Sequence, residues 1–178
     1  MKEDTFWSER LRPMLIRDCK RLRLPHHFER VENTVNDGTP DVDWCIAGVA
    51  GKIELKFAQD HPVRTATPVL GSAQKGLRRS QVIWNAKRAA AGGRVFLAIG
   101  TPQMTWVVDL AGRSPAWLAD VWRLTAPELG EISAWCAVHQ SAGTLPLALI
   151  KETALRGPSL AEIYAAARAV QGESIGPV

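Results

Sequence analysis

The most constraining feature of this sequence is a short alternation, Ile53-Glu54-Leu55-Lys56-Phe57. Successive side chains of a β-strand point to opposite faces, so Ile53, Leu55 and Phe57 share one face and Glu54 and Lys56 the other. Such a strand buries one side in a core and presents a carboxylate and an ammonium together on the other. A hairpin is expected from strands at 42–47 and 52–57, joined by the small residues of 48–51. Asp41 begins the first of these strands. In an antiparallel pair it lies beside Glu54, which brings two carboxylates within reach of one cation.

Around this hairpin the pattern is mixed. Phe6, Trp7, Leu11, Met14 and Leu15 recur near helical spacing over 4–20, and Pro13 either kinks that helix or sets its start near Arg12. A strand is expected at 28–35, followed by the turn signal Asn36-Asp37-Gly38. Residues 58–77, rich in Pro, Gly, Thr and Ser, are too long for an idle connection and read as a functional loop. A helix over 80–91 closes at Gly92-Gly93, and strands follow at 95–99 and 105–110. Capping-box spacings at Thr125/Glu128 and Ser159/Glu162 place helices at 126–139 and 159–170, with a shorter one at 115–123 and a frayed tail after Gln171. The fold class is α/β: a mixed central sheet of four or five strands flanked by helices. The sheet core spans 1–112, and 113–178 forms a helical C-terminal extension packed on that core or exchanged with it.

Composition excludes several classes. With 46% hydrophobic and 22% charged residues the chain is an ordinary soluble globular protein and not a disordered one. Three cysteines without a CxxC pair fit reduced thiols in a cytoplasm. The uncharged stretch 132–150 is interrupted by polar groups and breakers, so no membrane span is expected; no apolar signal region precedes Arg10. Neither a Walker A nor a Rossmann glycine pattern is present, and no nucleotide cofactor is expected. Charge is unevenly spread: residues 1–60 hold 10 basic and 11 acidic groups, while 61–108 hold 7 basic and no acidic ones. Arg64, Lys75, Arg78, Arg79, Lys87, Arg88 and Arg94 thus form either a solvated basic face or a surface for a polyanion such as DNA.

Two neighbouring carboxylates repel unless a cation or proton lies between them. Oxygen donors of this kind suit Mg²⁺ or Mn²⁺, which keep several waters and bind phosphate oxygens. Lys56 beside them is placed to orient an attacking water or to stabilise charge on a phosphate. Taken alone, Glu54-x-Lys56 is a common surface ion pair. Here it occurs in order after Gly38-Thr-Pro-Asp41 and before a basic helix beginning Arg78-Arg79-Ser80-Gln81, with Trp84 three residues beyond Gln81.

That arrangement, over about residues 5–110, resembles the PD-(D/E)xK nuclease superfamily, specifically its VRR-NUC and phage Holliday-junction-resolvase-like branch. The resemblance implies a restriction-endonuclease-like sheet and a Mg²⁺-dependent endonuclease, with Mn²⁺ substituting. In that reading Asp41 and Glu54 are metal ligands, Leu55 adds a carbonyl ligand, Lys56 is the catalytic lysine and Gln81 contributes from the helix. The family's further glutamate corresponds to Glu9, which is preferred, or to Glu32 in Arg30-Val31-Glu32-Asn33. Arg64, Lys75, Arg78, Arg79, Trp84, Lys87 and Arg88 are the implied nucleic-acid contacts. The implied substrate is branched or junction DNA cut by a homodimer, in a cytoplasm that is the host's if the gene belongs to a phage. Two alternatives stand beside it: a non-catalytic DNA-binding protein on the same fold, and a nuclease of linear DNA, single strands or RNA.

The remaining candidates carry less. His26 and His27 point to opposite faces of a strand and lack partners at zinc-site spacing, which favours structural or phosphate-contact roles. Of the seven tryptophans, Trp44, Trp106, Trp117, Trp122 and Trp135 sit in apolar segments expected to form core, leaving Trp7 and Trp84 as candidates to face substrate.

Overall fold

The computed structural model describes residues 2–31 and 38–133, and the backbone of 135–138. Glu32, the Asn36-Asp37 part of the expected turn, the helix expected at 159–170 and the tail lie outside the described residues. Six strands form one sheet in chain order: β1 (His26–Arg30), β2 (Val42–Ile46), β3 (Val49–Phe57), β4 (Arg94–Gly100), β5 (Met104–Asp109) and β6 (Trp135–Val138). Every neighbouring pair is antiparallel except β3 and β4. That parallel pair needs a long crossover, and the chain supplies it with the 58–77 loop and helix α3 (Arg79–Ala90).

The hairpin turn is tighter than its small residues suggested. Ile46 pairs with Val49, and Ala47 and Gly48 alone make the turn, at φ of 50° and 82°. Positive φ at both positions matches the twist of the flanking strands and lengthens β3 to nine residues.

Before the sheet, α1 (Glu3–Phe6) runs through a π-helical turn, Trp7–Leu11, into α2 (Arg12–Arg21). Buried Trp7, Leu11, Leu15 and Cys19 recur at strict four-residue spacing, which drifts by roughly 40° per step on a 3.6-residue helix. The π turn absorbs part of that drift. It is closed by the Arg12 N–H on the Trp7 carbonyl, and it ends beside Pro13, which has no N–H to continue the ladder. Pro13 stands in the first turn of α2, which starts at Arg12, one of the two outcomes expected for it.

The sheet separates two apolar layers. Phe6, Trp7, Leu11 and Leu15 pack with Val42, Trp44, Ile53, Leu55, Phe96 and Ala98 on one side. Val82 of α3, Leu118 of α4 (Pro115–Asp120), Val121 and Leu129 of α5 (Ala126–Ile132) pack with Val95, Leu97, Ile99, Trp106 and Val108 on the other. Each fully buried side chain of this size contributes about 1.5–3 kcal/mol. The expected alternation in β3 holds: Ile53 and Leu55 enter the first layer, while Glu54 and Lys56 are registered with Leu97 and Ile99 of the second.

The end of the described chain differs from expectation. Instead of a helix over 126–139, α5 stops at Ile132 and Trp135–Val138 pairs with β5 as a sixth strand. The Thr125–Glu128 capping box does start a helix. The free edge of β5, however, offers unpaired backbone groups to the aromatic and β-branched residues that follow. Trp117 and Trp122 are half-buried against the second layer, each under an arginine: Arg113 at 4.7 Å and Arg123 at 4.9 Å. Among the described residues only Val63 and Ile83 are large apolar side chains left exposed, and no helix is long and apolar enough to cross a membrane.

Candidate active site

Asp41, Glu54, Lys56 and Gln81 come together at one end of the β2–β3 hairpin, under the first turn of α3. Asp41 directly precedes β2, and its Oδ2 accepts the Leu55 backbone N–H at 2.9 Å, which holds the carboxylate against the middle of Glu54-Leu55-Lys56. Glu54 is 0% exposed. Its Oε1 accepts from Lys56 Nζ at 3.0 Å and also from Gln81 Nε2, whereas its Oε2 is buried with no hydrogen-bond partner. Gln81 Oε1 in turn accepts the Arg78 N–H at 2.9 Å, closing the N-terminus of α3. That bond fixes the amide so that its NH₂ faces Glu54.

Gly38 explains why the loop and the helix can meet. Its φ is +96°, and a β-carbon there would lie 2.5 Å from the Ser80 carbonyl and 3.0 Å from the Gln81 nitrogen. Only glycine fits both the left-handed backbone and the close approach. The turn residue of Gly38-Thr39-Pro40-Asp41 is thus the contact that seats the Asp41 segment on the start of α3.

The third carboxylate is one the sequence reading missed. Glu3, in the first turn of α1, places Oε1 3.5 Å from Lys56 Nζ. The acids Glu3 and Asp4 look like ordinary helix-start residues favoured by the helix dipole, and that bland role hid Glu3. Glu9 stands elsewhere. It is exposed and lines a separate concavity with Arg10, Pro13, Met14 and Arg17.

Burial decides the electrostatics. Glu54 is pushed up to about 8, first by its removal from water and then by the neighbouring Asp41 and Glu3 charges, against the opposing pull of Lys56. Burial also raises Glu3, with Lys56 opposing. For Lys56 burial acts downward, but Glu54 and Glu3 outweigh it and hold the ammonium above its usual range. The site is a buried cation ringed by acids, two of which burial pushes toward their protonated forms.

Among the described residues no three His, Cys, Asp or Glu side chains converge as a preassembled metal cage. The donor chemistry still fits a hard cation: Asp41 and Glu54 offer carboxylate oxygens, and Glu54 Oε2 is buried without a hydrogen-bond partner. Mg²⁺ is commonly held by one or two carboxylates plus waters and phosphate oxygens.

The other expected residues fall as follows. The Leu55 side chain lies in the first apolar layer. Arg64, Lys75, Arg78, Arg79, Lys87 and Arg88 are all exposed, on the loop and on α3, the crossover that carries Gln81; Arg94 is half-buried. Trp84 is half-buried against the second layer. Trp7 does not face solvent: it is buried and meets Phe28 edge-on. His26 bonds the Leu24 carbonyl at 2.9 Å, and exposed His27 pairs with Glu29 at 3.6 Å.

No family model matches the chain, and no curated protein matches it. Among solved structures it is similar to Hjc, a Holliday junction resolvase of the archaeon Archaeoglobus fulgidus. The identity is 18% and the TM-score 0.33, over 56% of this chain and 75% of that one.

Proposed function

We propose that the chain is a metal-dependent nuclease of the PD-(D/E)xK type that hydrolyses DNA phosphodiester bonds, with branched DNA as its preferred substrate. One observation carries this reading: a fully buried glutamate with one oxygen held by a lysine and a glutamine and the other unpartnered, on the strand facing Asp41. A purely structural ion pair has no need of an orphaned carboxylate oxygen, whose desolvation costs on the order of 1–3 kcal/mol or more.

Asp41 and Glu54 would hold Mg²⁺ or Mn²⁺, with Glu3 in the place first given to Glu9 or Glu32 and the Leu55 carbonyl as a further donor. The metal supplies Lewis-acid polarisation of a phosphate oxygen and lowers the pKa of a bound water. Lys56, fixed by two acids, faces the charge that develops on the phosphate and orients the nucleophile. Gln81 keeps the Glu54 carboxylate from rotating. Arg78 at the N-cap of α3 and Arg79, Lys87 and Arg88 on it, with Arg64 and Lys75 on the loop, guide the nucleic-acid backbone toward this point, and Trp84 supports the same helix.

Resolution of a four-way junction needs two symmetric cuts, which two active sites in a homodimer provide. Leu118 and Val121 are consumed by the core, as are Val69, Leu70 and Leu77 of the 58–77 loop, and among the described residues the exposed 63–67 part of that loop is open for such a contact. Such an enzyme would act in a cytoplasm, the host's for a phage-encoded protein. The deciding experiment compares cleavage of matched linear, nicked, flapped and four-way DNA with Mg²⁺, Mn²⁺ or EDTA. Cleavage that requires metal and favours the four-way substrate supports the reading; equal cleavage of all forms keeps the chemistry and removes the preference.

A further inference from the structure

The first helical turn is a poor platform for a site residue. α1 is the first turn of a helix that continues to Arg21, but it has no side-chain cap, so its start is where that helix frays most readily. Yet Glu3 stands on it, next to Lys56. Besides the ion pair of Glu3 with Lys56, two contacts hold the turn. At its far end Phe6 is fully buried against Phe57, with ring centroids 5.6 Å apart, and rests on Gly100, where a β-carbon would lie 2.5 Å from the Phe6 ring. At its near end Asp4 Oδ1 lies 2.6 Å from Arg30 Nη2.

Arg30 is itself tied to the site. It closes β1 opposite Val42, and the next residue, Val31, donates its N–H to the Asp41 carbonyl at 2.8 Å. The guanidinium keeps Nε and Nη1 buried without hydrogen-bond partners, so Asp4 supplies its ion pair. Its charge is close enough to favour the ionised form of Glu3.

We infer that Arg30 is a positioning residue: through Asp4 it fastens the first helical turn to the strand pair carrying Asp41 and so holds Glu3 at the site. This rests on the nuclease reading only in treating Glu3 as part of a metal site. Phe6 alone fixes one end of the turn and leaves its start free to swing; the Asp4–Arg30 pair removes that freedom.

The test uses the full chain with Asp4→Asn, Glu3→Gln, the double variant of the two, and the charge exchange Asp4→Arg with Arg30→Asp. Asp4 is 70% exposed, so Asp4→Asn leaves folding intact. Mn²⁺ affinity is read by calorimetry, and hydrogen exchange is followed at the Phe6 and Trp7 amides without metal. Asp4→Asn should weaken Mn²⁺ about tenfold, the lower range for a group that orients a ligand, and speed exchange at both amides. It should add nothing once Glu3 is already Gln, and the charge exchange should restore most of the affinity. Unchanged Mn²⁺ affinity in Asp4→Asn, or an equal loss with and without the Glu3 carboxylate, overturns the inference. If the unaltered protein binds no Mn²⁺, the metal reading fails, and amide exchange decides alone: faster exchange in Asp4→Asn supports the positioning role, and unchanged exchange overturns it.

Discussion

Gln81 donates its side-chain amide to Glu54 while its carbonyl oxygen caps the helix on which it stands. One residue thus links the start of α3 to the orientation of a buried carboxylate, so the geometry of the site and the docking of the basic helix cannot vary independently. Glu54, freed from Gln81, would keep only Lys56 to hold Oε1, and the C–O bonds could turn.

Replacing Gln81 by Ala should therefore have two effects. Loss of the cap costs about 1 kcal/mol of stability, measured by urea unfolding. Loss of the carboxylate's partner should slow metal-dependent nicking about 10- to 100-fold. A stability loss with a normal nicking rate would separate the two roles.

The buried acid predicts a pH dependence with a definite sign. Glu54 holds its proton up to about 8 in the native protein and releases it near 4.5 when unfolded. Between those values the native state binds more protons, so metal-free stability falls as pH rises. Glu3 is shifted in the same direction, and Lys56 stays charged in both states across the window. Thermal unfolding from pH 5 to 8 in EDTA should show a falling midpoint, and Mg²⁺ should recover more of it at pH 8 than at pH 5. A midpoint that rises over this range contradicts the burial of Glu54.

Gly38→Ala tests the contact that brings Asp41 under α3. With φ at +96° and a β-carbon 2.5 Å from the Ser80 carbonyl, the variant should lose about 2–4 kcal/mol and most of its activity. Gly48→Ala, with open space around its β-carbon, should lose less because it meets only the backbone strain of its turn. Equal losses in the two variants, compared by chemical unfolding, would mean that the loop does not rest on the helix.

How much of this was legible depended on how local the signal was. Asp41, Glu54 and Lys56 are joined by strand alternation and a hairpin, so the sequence brings them together without knowledge of the tertiary fold; Gln81 stands at the start of a clear helical pattern, but only the family resemblance brings it to the site. Glu3 is different. It reaches Lys56 from 53 positions away in the chain, and nothing in its neighbours distinguishes it from a dipole-matched acid. Glu9 has a more helical context and the wrong face. The strand at Trp135–Val138 was hidden for a related reason: a capping box speaks only for the turn that follows it, and the pull of an open sheet edge is tertiary. Trp7 reads as substrate-facing beside its charged neighbours, but it heads the buried stripe of Leu11, Leu15 and Cys19 and packs in the core.

The exposed cations of α3 should behave as phosphate contacts. Removing Arg78, Arg79 or Lys87 singly should weaken binding almost equally across DNA sequences and make the slope of log K against log salt shallower by about one unit. Unchanged slopes in all three variants would return this face to ordinary solvation.

The central claim is that Glu54 anchors a cation that cuts phosphodiester bonds, and Glu54→Gln tests it most directly because the side chain keeps its shape and its bond to Gln81. Cleavage of four-way and linear DNA should be measured for both proteins, with Mg²⁺ and with EDTA, beside their DNA affinities. The unaltered protein should cleave only with Mg²⁺, and Glu54→Gln should bind DNA equally well while cutting at least about a thousandfold more slowly, a loss of about 4 kcal/mol in transition-state stabilisation. Cleavage that persists in EDTA, or near-normal turnover by Glu54→Gln, would contradict the account.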